Sequence, residues 1–308
     1  MPNCSVIFPD SSSGFGESID EVNIALSGVA SNVGSVADLT NAELEGMTTK
    51  ALGLAKAFDQ DVGQTSRAVG QLMKTGMAAD AEEAFDIIAA GLRKGADGGG
   101  DFLDTLIGGA DNLKTFGFTG DQATGLIVQG LNAGAESAES VTGLFEELVG
   151  NVSAGGDDLA QTFKDLGLDG QQMAKDLTSG GPAANKALDT LLDSIRDLKD
   201  PIKQDAMMAA LFGEEGAAMQ NTLLAIDPST ATAALGEFDG AAQEVTDTMA
   251  ASPGQQFDSI MRSLSTTIGQ FLMPALQFVA GLFQKYPGLM QTVVPVVLAL
   301  AAGLAIAA

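Results

Sequence analysis

Three aspartates, Asp97, Asp101 and Asp104, stand where carboxylates could gather on a divalent cation. A calcium loop needs alternating acids closed by a glutamate over twelve residues. That pattern is absent, so the three read as a solvated turn leading into a helix. Glu146 with Glu147, and Glu214 with Glu215, are adjacent carboxylates. Neighbours on a helix point apart, which argues against a shared proton site. Gly95-Ala-Asp-Gly-Gly-Gly100 lacks the spacing of a dinucleotide loop and follows no strand. Gly70-Gln-Leu-Met-Lys74-Thr75 lacks the spacing of a phosphate loop, and both stretches read as loops. Histidine is absent, which removes imidazole bases and imidazole metal ligands. Cys4 is the one cysteine; it excludes an internal disulfide and reads as an incidental thiol. Met207 and Met208 lie in an apolar helical window and read as core. The sequence offers no catalytic residue, no cofactor-binding residue and no metal ligand. It describes a non-enzyme.

The elements around these residues read as helices. Thr40-Asn-Ala-Glu43 and Thr119-Gly-Asp-Gln122 are capping boxes, and Asp80-Ala-Glu-Glu83 is an acidic equivalent. Pro182 and Pro201 suit a first helical turn, where an N–H is dispensable. Gly76, Gly95, Gly117, Gly134, Gly167 and Gly213 fall where helices should end. Between these signals, apolar residues recur at spacings of three and four. One face carries Leu52, Leu54, Ala57 and Phe58; another carries Ala84, Phe85, Ile88 and Leu92. Leu144, Phe145 and Leu148 mark a third, and Leu188, Leu191, Leu192, Ile195 and Leu198 a fourth. No window alternates as a half-buried strand would. The expectation is an all-α chain with about a dozen helices of roughly 10–18 residues.

The segment Lys114-Thr-Phe-Gly-Phe-Thr-Gly-Asp-Gln122 is echoed by Lys164-Asp-Leu-Gly-Leu-Asp-Gly-Gln-Gln172. Each reads as a helix end, a glycine, an apolar residue, a cap and a new helix. Two readings stay open: a duplicated helical hairpin, or turn chemistry that looks alike anywhere.

Composition supports close helix packing. Hydrophobic residues make up 45 %, Trp is absent and Tyr occurs once, so small side chains dominate the interior. The net charge is −25, from 40 acids and 15 bases. Such a chain repels phosphates, which excludes sequence-specific nucleic-acid binding. The charge is uneven, since only Asp258, Arg262 and Lys285 follow Ser252.

These shifts divide the chain. Residues 1–16 lack the basic and apolar regions of a secretory signal and read as a flexible N-terminal segment. Residues 17–250 form an acidic helical core domain, compact rather than rod-like because its glycine stops are so frequent. Residues 251–288 read as an amphipathic helical linker. Phe257, Ile260, Met261, Leu264, Ile268, Phe271 and Leu272 lie at helical spacing before Pro274 interrupts. Residues 289–308 carry no charge and just reach the length of a membrane span. They read as an apolar, membrane-competent helix cut inside a longer apolar region.

The ordered set of Leu52 to Leu92, Lys164 to Leu198, Asp200-Pro-Ile-Lys203 and Ala210-Leu-Phe-Gly-Glu214 resembles the core domain of phage tail tape measure proteins. The likeness runs from about Glu17 to about Asp247. The part after Phe257, with Met273-Pro274-Ala275 and Tyr286-Pro-Gly, resembles the membrane-like region that follows that core. The resemblance implies a structural protein of the tail lumen in the virion, an assembly scaffold that helps to set tail length. On infection it would leave ahead of the DNA and assist passage across the host membrane. It implies tail tube and tail-tip proteins, further copies of the chain and the host membrane as partners. The competing reading is a pore-forming or toxin-like helical protein that masks a hydrophobic segment.

Overall fold

The computed structural model describes residues 19–33 and 40–250. The expectations for residues 1–16, Cys4 and residues 251–308 lie outside them. Fourteen helices and no strand occupy the described residues. They are α1 (Ile19–Asn32), α2 (Asn41–Ala57), α3 (Val62–Thr75), α4 (Ala81–Arg93), α5 (Phe102–Thr115), α6 (Gly120–Asn132) and α7 (Ala138–Ala154). Then come α8 (Asp157–Asp165), α9 (Gly170–Ser179), α10 (Gly181–Arg196), α11 (Pro201–Ala218), α12 (Gln220–Ala225), α13 (Ala231–Leu235) and α14 (Ala241–Ala250). The all-helical array agrees with the sequence reading. Helices α8, α12 and α13, with 9, 6 and 5 residues, are shorter than the expected range. Their packing, not their own propensity, keeps them helical.

Helix α4 is the hub. Its apolar period marked one face, but every residue from Ala84 to Leu92 is buried. The helix is covered by α2, α3, α6 and α14, so the residues between the large apolar ones, Ala89, Ala90 and Gly91, are enclosed too. The chain closes on itself here. Its last described helix, α14, packs on α2 and α4, while α13 lies along α6. A single apolar cluster runs from Val29 to Ala242, with Val22, Ala25 and Leu52 beside it as a small satellite.

The start and stop signals act as expected. Glu43 accepts from the Thr40 N–H at 2.8 Å, and its own N–H donates to the Thr40 hydroxyl. That reciprocal bond holds the Glu43 carboxyl below the usual range. Asp80 accepts from the Glu83 N–H at 2.9 Å, and Glu83 reaches back to the Ala79 N–H. Pro182 and Pro201 occupy first turns. Gly213 (φ 69°) breaks α11 as the sequence reading required, yet helix resumes immediately beyond it. The Asn151 amide donates to the Leu211 carbonyl at 3.1 Å, satisfying an acceptor that the break exposes.

One loop expectation is corrected. Gly70 to Thr75 is the last part of α3, not a loop. The glycine has a packing role there, because a Cβ at Gly70 would stand 2.2 Å from the Asn32 carbonyl oxygen. A side chain would push α1 off α3.

Candidate functional site

Most of the carboxylates that looked capable of chemistry are spent on structural hydrogen bonds. Asp97 accepts from the Phe102 N–H at 3.0 Å and from the Gln60 amide at 2.9 Å. Asp101 heads α5, but its two oxygens accept from Ala138 N–H at 2.9 Å and Glu139 N–H at 2.8 Å, at the start of α7. Asp104 accepts from Gln64 on α3 at 2.9 Å. Asp97 and Asp101 are half-buried and tie their turn to its neighbours, whereas Asp104 is exposed, as expected, and stands in the first turn of α5. They do not converge, and no group of three or more metal-competent side chains exists among the described residues.

The paired glutamates separate as expected. Glu146 accepts from Asn112 on α5, whereas Glu147 accepts from Asn151 one turn on. Glu214 and Glu215 are exposed. Gly95 to Gly100 is a chain of turns, as expected. Met208 is fully buried and Met207 half-buried.

The sequence reading missed Asp86. It sits in the middle of α4, 4 % exposed, in the run Ala-Phe-Asp-Ile-Ile. Its oxygens accept from Gly240 N–H at 2.7 Å and Ala242 N–H at 2.9 Å, across 154 and 156 residues. A buried carboxylate needs such partners to offset its lost hydration, and the free N–H groups of a helix start supply them. The available signal was a lone acid inside an apolar run, which must either face water or find donors. Arg196 plays the opposite part. It donates to the carbonyls of Leu224 at 3.2 Å and Ile226 at 2.6 Å and pairs with Asp193, closing the C-terminal end of α12.

Around Arg196 two carboxyls shift in opposite directions. Burial raises Asp189, and the charges of Asp193 and Asp227 add to it; Arg196 and the Ser229 N–H pull the other way. Burial acts on Asp227 as well, but bonds from the Ser229 hydroxyl and N–H, from Thr230, and the Arg196 charge outweigh it and lower that carboxyl. One oxygen of Asp189 is buried without a partner. The arrangement explains helix docking.

Two depressions on the surface of the described residues are large enough to seat side chains. One, of about 330 Å³, lies between Gly134, Glu136, Ser140, Glu215, Met219 and Thr222. The other, of about 270 Å³, lies between Ala57, Phe58, Arg93, Glu244, Val245, Thr248 and Met249. The second is mainly apolar and bears an ion pair, Arg93 to Glu244 at 2.7 Å, on its rim. Among the described residues no helix is long and apolar enough to cross a membrane, and the segment expected to do so, 289–308, lies outside them.

Comparison with known proteins adds a family to this helical body. The phage-related minor tail protein family matches residues 10–213. A protein of Streptomyces phage phiC31, named a probable tape measure protein, is 39 % identical over 223 residues, covering 72 % of this chain and 31 % of its own length. The chain thus spans about a third of the length of that relative. No solved structure matches.

Proposed function

We propose, because this chain belongs to the phage-related minor tail protein family, that it is the helical core region of a tape measure protein, packed in the lumen of the virion tail. A structural, non-enzymatic role follows from the membership itself. The identity to the phiC31 protein across 72 % of the chain is the observation that carries the finer reading. In that reading the protein is an assembly scaffold whose full-length form helps to set tail length, with tail tube and tail-tip proteins and further copies of itself as partners.

The short helices divide the labour. A measuring rod needs long uninterrupted helix at about 1.5 Å per residue, and among the described residues the longest helix has 18 residues and bends at Gly213. The described residues, 19–33 and 40–250, therefore serve as a folded body, and length measurement belongs to other parts of the full protein. The excess of acids keeps the body from sticking to DNA that shares the tube. Later, residues 289–308 enter the host membrane and ease the passage of DNA; their uncharged run supports this part of the reading.

Two experiments test the proposal. Phage carrying a disrupted gene should make no tails, or tails of scattered length by electron microscopy; tails of normal uniform length would overturn the scaffold role. In liposome flotation the full chain should rise with lipid, and Val293→Lys with Val297→Lys should leave it at the bottom. Equal flotation of the two proteins would remove the membrane step and leave the scaffold role standing.

A further inference from the structure

The depression beside α14 lies where the chain leaves the described body. The C-terminal ends of α2 and α4 supply Ala57, Phe58 and Arg93, and α14 supplies Val245, Thr248 and Met249. The position of α14 is tightly fixed. The buried Asp86 carboxylate holds its N-terminal N–H groups, Ala241 and Ala242 are buried, and Arg93 pairs with Glu244. Thr246 lies against Gly53, where an added Cβ would stand 2.9 Å from its hydroxyl. Met249, at the end of this clamped helix, forms part of the groove wall.

We infer that this groove seats the apolar face of residues 257–272. Only six residues, 251–256, separate Ala250 from Phe257. At no more than about 3.6 Å each they span about 20 Å, so Phe257 stays within reach of the groove. In the sequence, Phe257, Ile260, Leu264, Ile268 and Phe271 fall on one side of a helix, which in water needs an apolar cover. Asp258 and Arg262 fall away from that side and leave it uncharged. The groove is mainly apolar and its two rim charges, Arg93 and Glu244, pair with each other, so an uncharged apolar face suits it. The tether makes the contact intramolecular, at an effective concentration on the order of millimolar. The seat would hold the start of the apolar region against the body, whatever residues 289–308 do in lipid, so its failure leaves the proposed function untouched.

The test uses the full chain with Phe58 replaced by the photo-crosslinker benzoylphenylalanine. Irradiation should give adducts to peptides within 257–272, with a yield unchanged over about tenfold dilution, as a tethered contact requires. Adding Ile260→Asp and Leu264→Asp should abolish the adducts while the circular dichroism spectrum stays helical. A crosslinker at Thr248 provides a second probe should the Phe58 replacement fail to fold, and one at Ile202, 82 % exposed and away from the groove, should give no such adduct. Adducts between heavy- and light-isotope copies would overturn the assignment in favour of a contact between chains. Adducts elsewhere, or none from either groove position, would overturn it outright.

Discussion

The turns at 115–120 and 165–170 use the same chemistry and end in different surroundings. In each a glycine takes positive φ, 79° at Gly117 and 76° at Gly167. The following residue folds back onto its helix, Phe118 N–H to the Leu113 carbonyl and Leu168 N–H to the Phe163 carbonyl. Thr119 and Asp169 then begin new helices, with Gln122 accepting from the Thr119 N–H at 3.3 Å and Asp169 accepting from Gln171 and Gln172. Beyond that the likeness stops. Phe116 and Phe118 are buried and stack at 5.8 Å, with Phe145 leaning on both. Leu166 and Leu168 are half-buried. A Cβ at Gly117 would stand 2.3 Å from the Gly181 backbone, whereas one at Gly167 would meet nothing. The reading of a duplicated hairpin is corrected as well. Helices α8 and α9 pack on each other, but α5 lies along α3 and α7, and α6 along α4, α7 and α13. Local turn chemistry repeats without fixing where the helices go, and the apolar residue after the glycine ends in different surroundings.

The largest expected contrast is between the two apolar positions. Phe118→Ala should cost about 3–5 kcal/mol, and Leu168→Ala well under half of that, both by urea denaturation. Equal losses would break the comparison. The glycines come next. Gly167→Ala should cost about 1–2 kcal/mol, the strain of a left-handed alanine. Gly117→Ala should cost distinctly more, because the backbone of α10 must also move, and an equal cost would show that α10 yields freely. A smaller effect tests the caps. Asp101→Ala should destabilise by about 1–2 kcal/mol and raise amide exchange at the start of α7. Asp169→Ala should affect only its own helix, α9; unchanged exchange in α7 would refute the remote cap.

The smallest effect concerns α10, the helix on which Gly117 presses. A carboxyl raised by folding stabilises while it is protonated, and that contribution is lost as pH rises through its folded value. Asp189 is of this kind. Asp189→Asn should therefore raise Tm slightly at pH 7, with the gain vanishing by about pH 3, below the ordinary aspartate range. Asp227, lowered on folding, works the other way: its contribution is present at neutral pH and fades on acidification through its folded value. A gain from Asp189→Asn that grows on acidification would contradict these directions.

Caps, glycine stops and the helical class were legible because they are local. Thr40, Asp80, Pro182 and Gly213 act within a turn of where they stand. The full burial of α4 was not legible, since an alanine or glycine between leucines is silent about which partners arrive. Nor were the ties of Asp86 and Asp101, which join residues 154 and 37 positions away. An acid in a turn resembles a ligand, a local cap and a remote cap equally, and only the tertiary arrangement distinguishes them. The absence of histidine was informative from the start, because it removed most catalytic arrangements before any geometry was known.

This acidic helical body is proposed to be carried inside the tail. The direct measurement is mass spectrometry of intact, protease-treated virions of the encoding phage, before and after the tails are opened. Peptides from residues 40–250 should be present in intact particles, survive protease there, and be digested once the tails are opened. Their absence from purified virions, or their digestion in intact ones, would contradict it.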